Sequence, residues 1–441
     1  MSTPVARRDW TMTSKVTPTE CFVYITLPGQ TAPVTAARFE LTKDRRDIAI
    51  GRLVYGRSYL ARADAVPIDP IELRLAGQTY ETVGMKGLFG ALRDAGPDYW
   101  GRRVIERHVG AAQLNEMDYL LHSPDDRAGA LGFGLNQQPP APKRDFNKTL
   151  SLARLQKIAD AIIDEEDRPD DAEAAQVEEL LLVGTSMGGA RPKAVVEDTD
   201  GLWIAKFNRK DDKWNSARAE HAMLVLARAC GVTTAESKVI VVGGRDVLMV
   251  KRFDRERAEG GYLRARMLSG LTLLRAEEGH DTRDRWSYVL LVEELRRISA
   301  NPRADAAELF RRMCFNALIS NTDDHPRNHA VMAMTPDWKL SPAYDLTPTP
   351  LISEERRDLA MVCGDAGRYA NAENIVSQSM RFLLEKDEAE KIVLEMEEQV
   401  RNKWYEVARR EGLSEADCNT ISRSFVYPGF RLPMSPAAPP A

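Results

Sequence analysis

The chain has 441 residues, 43% apolar and 29% charged, enough for two or three domains or one large two-lobed body, and the balance excludes a largely disordered or fibrous protein. Its formal net charge of -5 lacks the basic footprint of non-specific phosphate-backbone binding, so no direct nucleic-acid binding is expected. Five cysteines, Cys21, Cys230, Cys314, Cys363 and Cys418, include no C-x-x-C pair, which argues against a zinc ribbon and for reduced thiols in the cytoplasm.

In chain order, residues 1–20 form a polar leader without the apolar centre of a signal peptide, and no run of 18 apolar residues follows, so no membrane association is expected. CFVYITL and AARFEL read as strands separated by PGQTAP. LVYGRSYLARADAVPIDPIELRL continues the β character, and GLFGALRDAGPDYWGRRVIERHVG turns helical, giving a small mixed α/β module over residues 20–140. The proline pair in LNQQPPAPKRDFNK marks a linker. From 150 to 255, KAVVE and LWIAKF flank DTDG as a hairpin, a helix runs from Ser216 to Cys230 with Gly231 closing it, and KVIVV and DVLMVKRF flank a GGR turn. Residues 256–427 are mainly helical, and 428–441 read as a disordered tail. The expected fold class is therefore α+β: a two-lobed, protein-kinase-like body with a small N-terminal α/β subdomain, a β-rich nucleotide-binding part and a helical catalytic lobe.

The densest chemistry lies in NTDDHPRNHAVMA. It follows an apolar helix, and Pro326 forbids that helix from continuing, so residues 321–328 are expected to form a loop. Asp323 and Asn328 stand as D-x-x-x-x-N, and HAVMAM and WKL read as two strands leading to Asp345, 22 residues after Asp323. Metal-dependent phosphoryl transfer uses such a set: one carboxylate takes the attacking hydroxyl's proton, and an amide oxygen and a second carboxylate hold Mg²⁺. Upstream, Lys206 in a β run can reach nucleotide phosphates, and Glu220 on the next helix can pair with it. TSMGGARPK offers Gly188 and Gly189 as a phosphate-wrapping backbone. Gly184 and Gly189 have Walker spacing, but Ala190 stands where the lysine would follow. A zinc site on His325 and His329 would need a helix, which Pro326 opposes.

TSMGGARPKAVV, LWIAKFN, VKRFDR, NTDDHPRNHA and PAYDLTP, in this order, resemble the HipA family of bacterial serine/threonine kinases, toxins of HipBA-type toxin–antitoxin pairs. GPDYWGRRVIERH and DDRAGALGF are similar to that family's N-terminal subdomain. The resemblance implies ATP and Mg²⁺ as cofactors, Asp323 as catalytic base, Asn328 and Asp345 as metal ligands, and Lys206 on the phosphates. It further implies a hinge from Met249 to Phe253 against adenine, with Phe253 packing or using its backbone there, and autophosphorylation of Ser186 as an off switch. Two departures stand out: Arg191 and Pro192 in the glycine-rich loop, and Asp324 beside the base, where spacing to Asn328 favours Asp323.

By the same resemblance, the partners are a small DNA-binding antitoxin of HipB type and a protein substrate such as an aminoacyl-tRNA synthetase, whose phosphorylation would stall translation. Two other functions fit parts of the pattern. A small-molecule phosphotransferase of the aminoglycoside-kinase type shares D-x-x-x-x-N, and a nucleotide-binding co-repressor would sequester an operator-bound partner.

Overall fold

The computed structural model describes residues 18–110, 114–142, 146–148, 152–163, 191–351 and 353–434. Near the N-terminus, β1 (Glu20–Thr26), β2 (Pro33–Lys43), β3 (Ala49–Tyr55), β4 (Thr79–Thr82) and β5 (Leu131–Gly134) make an antiparallel sheet in the order β4-β3-β2-β1-β5. Alternation along the strands puts Val23, Ile25, Phe39 and Leu53 into one core. The β character expected to continue to Leu75 stops at Tyr55. Arg57–Leu60 turn into a short helix, and the backbone amides of Val66 and Ile68 donate to the hydroxyls of Tyr59 and Tyr55 at 3.2 and 2.9 Å instead of to a neighbouring strand. Helix α1 (Tyr99–Val109) starts where the Asp98 side chain accepts from the Gly101 amide and ends at Gly110, whose φ of 70° suits a residue without Cβ.

The second sheet holds β6 (Asn147–Lys148), β7 (Lys193–Asp198), β8 (Gly201–Phe207), β9 (Ser237–Val242) and β10 (Arg245–Lys251), ordered β6-β7-β8-β10-β9. One face carries Ala194, Val196, Trp203, Phe207 and Met249 into a core shared with helix α2 (Leu152–Ile163) and with Trp100 of α1. Successive residues point to opposite faces, so Ile204, Lys206, Leu248 and Val250 look the other way, toward the remainder of the molecule. Helix α3 (Ser216–Ala229) follows β8, its first turn capped by Asn215.

The rest of the chain is mainly helical. A two-stranded ribbon, β11 (Arg255–Ala258) and β12 (Gly261–Arg264), leads to a small sheet of β13 (Arg266–Ser269), β14 (Ala330–Ala333) and β15 (Lys339–Leu340). Helices α4 (Tyr288–Ile298), α5 (Pro302–Leu318) and α6 (Lys386–Arg410) bury Leu295, Phe310, Phe315 and Val400 in the principal core. No described helix is long and apolar enough to cross a membrane.

The chain does not come free at residue 428. Phe430 is fully buried, Arg431 pairs with Glu397, the Asn371 amide donates to the carbonyls of Gly429 and Leu432, and the Met434 amide donates to Glu373, so the expected tail is tied down through residue 434, while its residues 435–441 lie outside the described residues. One large aromatic ring in the sequence PGFR drives this burial, outweighing the polar and proline-rich composition around it. All five cysteines are buried free thiols.

Candidate active site

Lys206 sits on the face of β8 that looks away from the α2 core, cross-strand from Leu248. Its Nζ donates to Glu220 Oε1 at 2.6 Å and to Asp345 Oδ1 at 2.8 Å. Burial alone would lower the Lys206 pKa, but the two carboxylates outweigh it and hold the ammonium well above the usual lysine range. Asp345 behaves inversely: burial would raise its carboxyl, and Lys206 overrides that to bring it down to about 2. Burial pushes Glu220 up, only partly opposed by Lys206. Three charges summing to -1 therefore meet in one place, with a third carboxylate, Asp323, lining the same cavity. Such a surplus of negative charge suits a cation.

Asp345 has a φ of 59°, the left-handed region that non-glycine residues avoid. Contacts on both sides hold it there. Tyr344 stacks on Phe253 with ring centroids 5.7 Å apart, and Asn321 Nδ2 donates to the Asp345 carbonyl at 3.4 Å.

The loop after α5 separates two adjacent carboxylates by burial. Asp324 is 1% exposed and accepts hydrogen bonds from the Tyr288 hydroxyl and, at 2.8 Å, from His329 Nε2. Asp323 is exposed and has no side-chain hydrogen bond among the described residues. Of the two, Asp323 is thus the one presented to the cavity. Desolvation raises its pKa, opposed by His325 and reinforced by Asp345 and Asp324. The loop closes in a 3₁₀ turn over Pro326–Asn328. There Asn328 Nδ2 donates to the Asp323 carbonyl at 3.3 Å, which leaves its amide oxygen uncommitted among the described residues. Asn328, Asp345 and Lys206 line one cavity, so an amide oxygen and a carboxylate fit a magnesium ion that takes its other ligands from phosphate and water.

That cavity continues between the sheet and the helical part, lined by Ile204, Val250 and Phe253. Met249, expected at this hinge, turns its side chain into the α2 core: it pairs with Ala205, whereas Val250 pairs with Ile204. Period-2 alternation within β10 makes Val250 the strand's contribution to the cavity and corrects the Met249 assignment for its side chain. Gly184, Ser186, Gly188 and Gly189 lie outside the described residues. Arg191, a departure from the family pattern, is tied by two bonds of 2.9 and 2.8 Å to Asp212 and a third to Ser216.

Sequence reasoning did not find the brace beneath the loop. Tyr288 and Asp324 are 36 residues apart and on different elements, and no local spacing connects them. His325 makes no side-chain hydrogen bond among the described residues and packs edge-on against Trp286. His329 does the bracing. Asp94 of the N-terminal module was missed too; it lines the cavity and accepts from the Ser269 amide and hydroxyl and from the Thr272 hydroxyl, each at 2.7 Å.

Residues 38–134 match the HipA N-terminal domain, and residues 185–404 match the HipA-like C-terminal domain. "Putative kinase Y4mE" of Sinorhizobium fredii (strain NBRC 101917 / NGR234) is 26% identical over 355 residues, covering 74% of this chain and 78% of that protein. A Haemophilus influenzae protein named "Putative kinase" is 25% identical over 190 residues, 38% of this chain and 55% of its own length. Among solved structures, the Shewanella oneidensis MR-1 toxin–antitoxin complex of HipA, HipB and operator DNA contains a chain of the same fold. It aligns with a TM-score of 0.67 at 18% identity, over 90% of this chain and 95% of that one. Both HipA domains matched in order along one polypeptide, on a fold shared with a HipA structure, show that this chain belongs to the HipA family.

Proposed function

We propose that this chain is an ATP- and magnesium-dependent serine/threonine-protein kinase, the toxin half of a type II toxin–antitoxin pair. The observation that carries the reading is Lys206 bridging Glu220 and Asp345 in a cavity that also holds Asn328 and borders the exposed Asp323. Glu220 orients the Lys206 ammonium toward the nucleotide phosphates. Asn328 and Asp345 would hold a magnesium ion, which when bound would neutralise charge on those phosphates. The Asp323 carboxylate accepts the proton of the attacking hydroxyl. Asp324 is consumed by Tyr288 and His329, so it positions the loop.

The kinase names carried by the relatives support the activity class, and the HipB and operator DNA in the Shewanella complex support an antitoxin partner. A protein of the translation machinery, such as an aminoacyl-tRNA synthetase, is the proposed target. Ser186 is the proposed autophosphorylation site: roughly -1.5 to -2 charges placed in the glycine-rich loop would repel the nucleotide phosphates.

Intact-mass measurement with peptide mapping after incubation with Mg-ATP tests this. The wild type is expected to gain one phosphate on Ser186, and Asp323→Asn to lose that gain, with rates falling by about 10²–10⁴-fold. ATP binding without phosphate on either protein would overturn the self-silencing kinase.

A further inference from the structure

Beside the proposed catalytic loop, on the far side of His325 from Lys206, lies a second pocket walled by Arg93, Arg283, Arg327, Tyr99, Trp286 and Glu278. Its charges are poorly matched. Glu278 is shared by two guanidinium groups, at 3.2 Å from Arg93 and 2.5 Å from Arg327. Of the other nearby carboxylates, Asp98 holds Lys193 at 2.8 Å and caps α1, Asp94 takes the three donors from Ser269 and Thr272 and reaches Arg327 only at 3.9 Å, and Asp323 feels the Arg283 charge without a hydrogen bond to it among the described residues. Arg283 stacks over the Trp286 ring at 4.9 Å. Arg283 Nε and Arg327 Nη2 are buried donors with no hydrogen-bond partner among the described residues. Buried donors left unpaired cost about 1–3 kcal/mol each, more for charged groups. Burial and the neighbouring Arg327 push the Arg93 guanidinium down to about 10.

We infer that this pocket receives a carboxylate or phosphoryl group of the protein substrate, a few residues from the acceptor hydroxyl. The inference rests on the kinase reading. Fork-shaped guanidinium groups match planar carboxylate and phosphoryl oxygens. Position agrees with that role. His325 and Pro326 form the pocket's inner wall, and His325 is two residues from Asp323, a separation of at most about 7 Å at 3.3–3.6 Å per residue. A substrate whose hydroxyl meets Asp323 would lay a residue about two to four positions away over the arginines. Tyr99, 64% exposed at the pocket's mouth, offers that segment an aromatic ledge. From there the groove extends along Lys86, Arg102, Glu116 and Glu277, with Arg102 paired to Glu116.

The test compares serine peptides that differ at one position, two to four residues to either side of the serine, carrying glutamate, phosphoserine, alanine or lysine. Wild type and Arg283→Met are assayed together; methionine retains the stem over Trp286 and removes the charge. The expected result is a kcat/KM at least about tenfold higher for glutamate or phosphoserine than for alanine, expressed mainly in KM, and a ratio near one in Arg283→Met, with Arg283→Lys recovering part of it. A wild-type ratio near one at every position, or a ratio unchanged in Arg283→Met, overturns the inference and leaves the kinase standing. Should the wild type phosphorylate nothing, itself included, the kinase reading fails, and calorimetric titration with a phosphoserine tripeptide then judges the pocket alone. Binding lost in Arg283→Met supports an anion site; no binding by wild type overturns it.

Discussion

Lys206 neutralises two carboxylates while facing a cavity where anionic phosphates are proposed to sit, so its removal exposes more than a missing contact. In Lys206→Met, the buried Glu220 and the half-buried Asp345 are left as neighbours of like charge, and the Asp345 carboxyl loses the partner that depresses it. The folded-state pKa of Asp345, about 2, lies below the ordinary 3.8. Its contribution to stability is therefore full above pH 3.8 and is lost as pH falls toward 2. Denaturant unfolding between pH 2 and 5 is expected to show this limb in wild type. In Lys206→Met, with the main group that depresses the Asp345 carboxyl gone, the limb should shrink or vanish, and a carboxyl titration that stays near 2 in the variant would contradict the ion pair. Beneath the loop, Tyr288→Phe removes a hydroxyl from the buried Asp324. The expected loss is about 1.5–3 kcal/mol of unfolding free energy, together with slower phosphate transfer because Asp323 is its neighbour. Lys206, Glu220, Asp323, Asn328 and Asp345 were legible in the sequence because their spacing follows from a hairpin, one helix turn and one loop. Tyr288 was not, because its only link to the loop is tertiary.

At the level of elements, the placement of the loop depends on a close approach that no side chain permits. The turn of helix Gly270–Leu273 packs directly under the loop: the Gly270 amide donates to the His329 carbonyl at 2.7 Å, and a Cβ on Gly270 would lie 2.6 Å from the Pro326 carbonyl oxygen. Both neighbours are backbone, so Gly270→Ala must displace the loop. A displacement near 1 Å is expected to lower phosphate transfer by roughly 10²-fold, with a smaller loss of stability, about 1–3 kcal/mol. Activity equal to wild type would show that the loop absorbs the methyl group. Strands such as β7, β8 and β10, and helices such as α3 and α5, were readable from alternation and from 3.6-residue periodicity. What alternation conveyed less directly was facing: Met249 and Val250 are adjacent and both apolar, and only the pairing with Ala205 and Ile204 tells which one meets the cavity. The segment 61–75 was misread as strand because its valine, isoleucine and leucine content resembles β sequence, while the hydroxyls of Tyr55 and Tyr59 replace the partners a strand would need.

Across the whole molecule, the N-terminal module and the proposed hinge before Phe253 are joined by buried charge. Arg252, directly before Phe253, is fully buried between Asp126 at 2.6 Å and Asp254 at 2.8 Å, and Arg255 adds a contact to the Arg127 carbonyl at 2.6 Å. Removing one member leaves an uncompensated buried cation, so Asp126→Ala is expected to cost about 3–5 kcal/mol and to raise the KM for ATP, read from unfolding curves and from initial rates. The five thiols are distributed over this same body: Cys21 in β1, Cys230 at the end of α3, Cys314 in α5, Cys363 beside Tyr369 and Cys418 in the helix Glu415–Ile421. Burial pushes the Cys21, Cys230 and Cys363 thiols up to about 12, far from the thiolate form that reacts with alkylating agents. Alkylation of the unmodified chain thus becomes a built-in clock: each cysteine is labelled only as fast as its own neighbourhood opens, and peptide-resolved rates with and without nucleotide would time the breathing of five separate places in the native protein.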